Sequence, residues 1–402
     1  SKAVLEIGGE QTPYFRNDEF SKVMLENEEL MKEFVYASED SRVAFITGSG
    51  TAAMETTVMN VFNDEDKVLI VNGGGFGQRF VELCKLHNIP FDEIKLDFGE
   101  NITKELLDSY DGSKYTGFLV NICETSSCVY YDLDLISDFC SENDIFLVVD
   151  AISSFLANPL NMVEKNIDVV ITGSQKALAC PPGISVIVLG ENALERVENN
   201  TCSCMYFDLK DILKNGERGQ TPFTPAVTIL LQINQRLKEI KSQGGVESEI
   251  ERISTLASDF RKRIEDLPLE IHCNDLGNSV TGVFCVDSKA DDVVDALKND
   301  YGIWVNPNGG EIGEKMFRVG HIGNLTLKDN DVLIDALHDL EKRGILKWLK
   351  LLPTVHMIYS ITDIKDYLKE QKKTLCSSFF GAGYIATRTN IQTQENYAWC
   401  RF

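Results

Sequence analysis

Lys176 is the side chain of this sequence whose setting most suits covalent chemistry. It follows the apolar run Val169-Val170-Ile171-Thr172 by a few small residues, Gly173-Ser174-Gln175, and Pro181-Pro182-Gly183 comes soon after. An amine just beyond a buried strand loses solvation, and lost solvation or nearby positive charge lowers its pKa and makes it a nucleophile. Taken alone, the same lysine reads as a surface residue. About 26 residues upstream, Phe146-Leu147-Val148-Val149 ends on Asp150. A carboxylate there either caps a turn or faces a ligand. Two glycine-rich turns add candidates. In Gly48-Ser49-Gly50-Thr51-Ala52-Ala53, small residues open backbone N–H groups to an anion, the coming helix adds its dipole, and Ser49 and Thr51 add hydroxyls. The same turn fits the dinucleotide fingerprint, or a tight turn without a ligand. In Asn72-Gly73-Gly74-Gly75-Phe76-Gly77-Gln78-Arg79 there is backbone room for a flat ligand on which Phe76 could stack, or simply a turn with a core Phe. Arg318, in Phe317-Arg318-Val319-Gly320, offers a fork for a carboxylate, or a surface salt bridge.

These residues need a scaffold, and the pattern around them supplies one. Val43–Ile46, Lys67–Val71, Gly117–Ile122, Ile145–Val149, Val169–Thr172 and Ser185–Leu189 read as buried strands. Helix-length segments such as Ala52–Phe62, Gln78–His87 and Leu133–Asn143 lie between them, which predicts an α/β fold with a mostly parallel sheet. Ligands of such sheets sit at the carboxyl ends of the strands, where all the candidate loops fall. Long helices over 226–242 and 246–266 follow. Val280–Val286, a helix near Asp291–Lys298, Ile303–Val305, Met316–Val319 and a helix near Asp329–Arg343 then predict a smaller α+β part.

The chain has 402 residues, 43% of them hydrophobic, and a formal net charge of -23. That sign, with no basic stripe, argues against nucleic acid as a partner. Eleven cysteines show no finger-like pairing, since Cys202-x-Cys204 has no second pair. No metal site is expected. The start, Ser1 to Glu10, lacks the long apolar stretch of a signal peptide, and no run is long enough to span a membrane. The expectation is a cytoplasmic protein with reduced thiols.

In this order, the elements resemble the class V aminotransferases, of fold type I, over about Phe15 to Leu340. Within that class the sequence is similar to the 2-aminoethylphosphonate–pyruvate and the alanine or serine–glyoxylate transaminases. Gly48-Ser49-Gly50-Thr51 stands where the family binds the phosphate of pyridoxal 5'-phosphate (PLP), and Phe76 where it stacks an aromatic on the ring. Glu124-Thr125-Ser126 resembles the step that contacts the cofactor, and Asp150 and Ser153 fall in Val-Asp-Ala-x-Ser-Ser. Gln175 and Lys176 lie in the lysine motif. Phe223-Thr224-Pro225 resembles the segment whose Thr reaches the neighbouring subunit's cofactor, and Arg318 the carboxylate-binding arginine of Phe-Arg-Ile-Gly-x-Ile-Gly.

The resemblance implies a PLP transaminase acting on a small amine and a 2-oxo acid, as a homodimer. Lys176 carries the cofactor and moves protons, Asp150 keeps its ring nitrogen protonated, Phe76 stacks, and Arg318 grips the carboxylate. The donor is 2-aminoethylphosphonate, which needs a second cation such as Arg16 or Arg218, or else alanine or serine. The expected organisation is a large PLP-binding domain over 1–245 (residues 1–20 an N-terminal arm), a small domain over 246–345, and an unassigned tail over 346–402. Relatives begin with a Thr-Pro-Gly-Pro loop that the stretch ahead of Arg16 does not contain, and Cys128 stands where they carry Gly. The shorter start leaves open a chain cut from a longer one, such as a fusion behind a nucleotidyltransferase. Two rival activities are a cysteine desulfurase or other PLP lyase, which would stack His where Phe76 stands, and a nicotinamide dehydrogenase. The latter requires an acid closing the second strand, where Asn72 stands. A scaffold without catalysis is the remaining alternative.

Overall fold

The computed structural model describes residues 1–271, 273, 275–349, 385–387 and 398–400. The chain divides into two units, Ser1–Leu349 and Lys350–Phe402. The first opens with α1 (Lys2–Gly8), α2 (Asp18–Phe34), β1 (Arg42–Thr47), α3 (Gly50–Val61), β2 (Val68–Asn72), α4 (Gly75–Leu86), β3 (Phe91–Lys95) and α5 (Lys104–Asp108). It continues with β4 (Gly117–Asn121), β5 (Cys123–Glu124), β6 (Val129–Tyr130), α6 (Leu133–Glu142), β7 (Phe146–Asp150), β8 (Val169–Gly173), β9 (Ile184–Leu189), α7 (Glu191–Asn199), α8 (Leu209–Gly216) and α9 (Val227–Ser242).

Seven strands form one sheet in the order β1-β9-β8-β7-β4-β2-β3. Only β9 runs against its neighbours; the other adjacent pairs are parallel. The predicted mostly parallel sheet is therefore present. Its strands β2, β4, β7, β8 and β9 are buried from end to end. Successive side chains alternate between the two faces. Leu69, Val71, Phe118, Val120, Leu147 and Val149 enter one core, and Val68, Ile70, Leu119, Phe146 and Val148 the other. Each such side chain contributes about 1.5–3 kcal/mol when fully buried, so the two-sided apolar run fixes the sheet. The edge strand β3 was not legible in the sequence, because in Phe-Asp-Glu-Ile-Lys only Ile94 is fully buried.

Ser1–Leu349 ends with α10 (Gly245–Arg263), β10 (Leu269–Ile271), β11 (Val280–Cys285), α11 (Ala290–Tyr301), β12 (Asn306–Pro307), β13 (Met316–Gly320) and α12 (Leu327–Lys342). Four of these strands make an antiparallel sheet, β10-β11-β13-β12, over a third core that includes Phe260, Val283, Phe317 and Leu337. One predicted strand moves. Ile303–Val305 is not paired; Val305 is buried in the third core, and the ladder starts only at Asn306, opposite Arg318. A buried ion pair joins α9 to α10: Arg236 Nη2 lies 2.6 Å from Glu249 Oε1. Arg252 also contacts Glu249, at 2.8 Å, and donates to the carbonyl oxygens of Gly323 and Leu325.

In the second unit, β14 (Ile385–Thr387) pairs antiparallel with β15 (Ala398–Cys400). The rest of the tail expected to be unassigned lies, beyond residue 349, outside the described residues. Among the described residues no helix is long and apolar enough to cross a membrane.

Candidate active site

Parallel register brings the carboxyl ends of β2, β4, β7 and β8 to one edge, with Asn121 opposite Asp150 and Asp150 opposite Ile171. Asp150 is 1% exposed. Its Oδ1 accepts from the Ile152 N–H at 2.9 Å, and its Oδ2 accepts from Asn121 Nδ2 at 2.7 Å. It therefore caps a turn, and it also ends a strand at that edge of the sheet. Burial pushes its carboxyl up to about 6, against the pull of those two donors and of Lys176. Asn121 was missed from the sequence, where a single Asn closing an apolar run was the only signal. Its Oδ1 is buried without a partner.

Lys176 stands on the turn just after β8. Burial pulls its ammonium pKa down, opposed by Asp150 and Cys123 and assisted by Arg318. Among the described residues its Nζ has neither a hydrogen bond nor an ion pair, and its partial burial sets it apart from the surface lysine of the alternative reading. The turn is closed locally: Ser174 Oγ donates to the Pro181 carbonyl at 2.7 Å and accepts from the Ile184 N–H at 3.3 Å. This is how Pro-Pro-Gly serves the lysine. Gly183 then accepts from the Gly48 N–H at 2.9 Å, which ties the lysine turn to the first glycine-rich turn. Gln175 Oε1 is buried and unpartnered.

That first turn runs from β1 into α3. Ser49 is the N-cap in extended conformation, yet its side chain makes no capping bond. Thr51, half-buried, likewise has no side-chain partner among the described residues. A Cβ on Gly50 would lie 2.3 Å from Ile152 Cδ1, so the helix start packs directly over the segment after Asp150. Ser153, in that segment, is buried. Unused hydroxyls and unsatisfied N–H groups at a helix start are what a phosphate takes up. With an unpaired, desolvated amine and a buried carboxylate at the same sheet edge, the donor set fits PLP.

Phe76 is half-buried in the first turn of α4, with the Arg79 guanidinium 4.9 Å from its ring centroid. Glu124 binds that turn, its Oε2 accepting from the N–H groups of Phe76 (3.0 Å) and Gly77 (2.9 Å). Thr125 is buried, and its carbonyl accepts from Arg318 Nη1 at 2.8 Å. Arg318 Nη2 donates to Pro307 O at 3.1 Å, and its Nε is buried without a partner. No carboxylate pairs with Arg318 among the described residues, so the surface salt bridge is not what it makes. Thr224 is exposed, two residues before Ala226, whose N–H donates to Thr47 Oγ1 at the end of β1. Arg16 is exposed and donates to the carbonyls of Thr221 (2.8 Å) and Pro222 (2.9 Å). Arg218 turns to Asn215 of its own segment.

A lysine just after β8, a buried acid at the end of β7, a helix start with unused hydroxyls after β1 and an arginine without a carboxylate partner among the described residues suit an α/β enzyme of the PLP type. The family model for class-V aminotransferases matches residues 11–320, and the chain belongs to that family. It is 31% identical over 320 residues to an uncharacterized aminotransferase of Methanocaldococcus jannaschii, covering 77% of this chain and 81% of that protein. It is 27% identical to a 2-aminoethylphosphonate–pyruvate transaminase of Phocaeicola vulgatus, over 73% of this chain and 83% of that one. The alanine–glyoxylate aminotransferase of Nostoc sp. superposes with a TM-score of 0.79 at 25% identity, over 85% of this chain and 92% of that structure. The protein is a PLP-dependent aminotransferase.

Proposed function

We propose that the enzyme moves an amino group from 2-aminoethylphosphonate to pyruvate or another small 2-oxo acid. The observation that carries the transaminase reading is the unpaired, desolvated Lys176 amine beside the buried Asp150 carboxylate. PLP, when bound, withdraws electrons from the carbon that bears the amino group and stores that group between half-reactions. In this reading Ser49, Gly50 and Thr51 hold the phosphate through helix N–H groups and hydroxyls. Asp150 accepts the hydrogen bond of the ring nitrogen. Phe76 stacks on the ring, and Thr125, Ser153 and Gln175 line its edge. Lys176 Nζ would hold the cofactor and, as a desolvated amine, would take up and return the proton of the substrate carbon. Arg318 turns its fork from the carbonyls of Thr125 and Pro307 to the substrate carboxylate, where both partners of each bond are charged.

For the donor, the Phocaeicola relative supports the phosphonate. Arg16 supports it too, as a guanidinium satisfied only by neutral oxygens and so available to a dianion. Alanine or serine with glyoxylate is the second reading, favoured by Arg318 being tied directly into the buried site while Arg16 is exposed. The exposed Thr224 serves the cofactor phosphate of a second copy, which makes the active unit a two-fold homodimer. Residues 1–245 form the cofactor-binding domain and 246–345 the small domain around the third core. The compartment is the cytoplasm, in keeping with nine of the described cysteines being free.

Half-reactions test the reading. PLP-loaded protein is mixed with 2-aminoethylphosphonate, alanine or serine alone, and the visible absorption band is followed. Bleaching by 2-aminoethylphosphonate and recovery with pyruvate is the expected result. Bleaching by alanine or serine only moves the assignment to the second reading; no bleaching by any of the three refutes both donor readings.

A further inference from the structure

The first turn of α4 is held by a segment far away in sequence. The first N–H groups of a helix have no intrahelical partner, and the N-cap residue usually supplies one. Here the N-cap is Gly74, which has no side chain to give. Instead Ser126 Oγ accepts from the Gly75 N–H at 3.0 Å, and Glu124 Oε2 accepts from Phe76 and Gly77 at 3.0 and 2.9 Å. Three consecutive N–H groups are thus capped by two side chains, one from the end of β5 and one from the turn after it. The other oxygen, Glu124 Oε1, accepts from the Ser126 N–H at 3.2 Å and from Ser126 Oγ at 2.5 Å. Glu124 is 1% exposed, so every bond it makes is shielded from water.

The fit requires the glycines. A Cβ on Gly74 would lie 2.2 Å from Ser126 Oγ and 2.7 Å from Glu124 Cδ. On Gly77 it would lie 2.4 Å from the Val71 carbonyl. The Gly-rich run read from the sequence as room for a ligand is therefore also room for a carboxylate. An anion at a helix N-terminus is favoured by the helix dipole as well as by the N–H groups. Both oxygens are committed to donors, which leaves Glu124 no free position from which to exchange a proton with a substrate.

We propose that Glu124 is a positioning residue for the cofactor-stacking ring: by capping Phe76 and Gly77 it fixes where the Phe76 side chain leaves the backbone. The same turn faces the substrate side, since Thr125 O takes Arg318 Nη1 at 2.8 Å and Ser126 O takes Asn308 Nδ2 at 3.0 Å. Residues 124–126 thereby carry the stacking ring on one flank and the carboxylate-binding arginine on the other. The inference rests on the reading that Phe76 stacks on PLP.

The test is a double-mutant comparison on the full chain, read by PLP titration and by the circular dichroism that the protein induces in the bound cofactor. Phe76→Ala and Glu124→Ala are each expected to weaken PLP binding roughly tenfold, the scale of one aromatic stacking contact, and to diminish the induced signal. Because Glu124 acts through Phe76, the double variant should bind no more weakly than Phe76→Ala alone. Glu124→Gln keeps one acceptor oxygen and the shape, and should recover most of the affinity; it also carries the comparison if Glu124→Ala does not fold. Wild-type binding and dichroism in both Glu124 variants, with Phe76→Ala impaired, overturns the proposal and leaves the stacking reading standing. Losses that multiply in the double variant overturn it too, since Glu124 would then act independently. An unimpaired Phe76→Ala removes the stacking reading, and the proposal with it.

Discussion

Asp150→Asn should make the cofactor-free protein more stable at alkaline pH while removing its activity. The carboxyl is lifted from 3.8 to about 6, chiefly by burial. A rise of about two pH units, at about 1.4 kcal/mol each, means that the ionised side chain withholds about 3 kcal/mol of stability at pH 8. The sign follows from the direction. The folded pKa lies above the unfolded one, so the stability is present below the unfolded value and is lost as pH rises through about 6. The amide fits the site. Its Oδ1 keeps the Ile152 N–H, and its Nδ2 can donate to Asn121 Oδ1, now unpartnered, once that amide turns over. Neutral bonds replace charge-assisted ones, so about 3 kcal/mol is an upper bound, corresponding to a melting temperature raised by roughly 2–5 °C in a protein of this size. Lowering the pH to 5 protonates most of the wild-type carboxyl and should shrink the difference by about half. Thermal melts of both cofactor-stripped proteins at pH 5 and 8 measure this. With PLP added, the variant should lose at least about a hundredfold in turnover, because the ring nitrogen has lost its anionic partner. An unchanged or lower melting temperature at pH 8, or a difference that does not narrow at pH 5, would refute the buried-carboxylate argument. Turnover within threefold of wild type would refute the catalytic role.

Lys176→Ala should abolish turnover with melting behaviour close to wild type; borohydride reduction of the loaded wild type followed by peptide mapping should label Lys176, and a label on another lysine would unseat it. Arg318→Ala should raise KM for the 2-oxo acid by roughly 10- to 100-fold, the value of a charge-assisted carboxylate contact, and Arg318→Lys should recover only part of that, because a point charge cannot reproduce the fork; initial rates at varied acceptor concentration decide it. Glu249→Ala strands the buried Arg236 and the adjacent Arg252 without their shared anion and should cost about 3–5 kcal/mol, seen as a lower urea midpoint at constant slope.

The strands that carry the site were legible because a buried parallel strand is a local signal. Val169–Thr172 and Ile145–Val149 are unbroken aliphatic runs, and their observed ends fall within a residue of the reading. Position followed from the same signal: a Lys or Asp just beyond such a run must emerge at the carboxyl edge of the sheet. What the sequence could not determine depends on partners distant along the chain. Asn121 meets Asp150 only because β4 and β7 pair in that register. Glu124 caps Phe76 across 48 residues, and Arg318 reaches Thr125 across 193. Even β12 forms where Val305 must be buried first, so packing, not propensity, decides which residues pair. The sequence by itself determined which residues bear chemistry and at which edge of the sheet they emerge, since burial of apolar runs is written locally. The tertiary structure alone decided which of them hold one another, because hydrogen bonds and desolvation are properties of neighbours brought together by the fold.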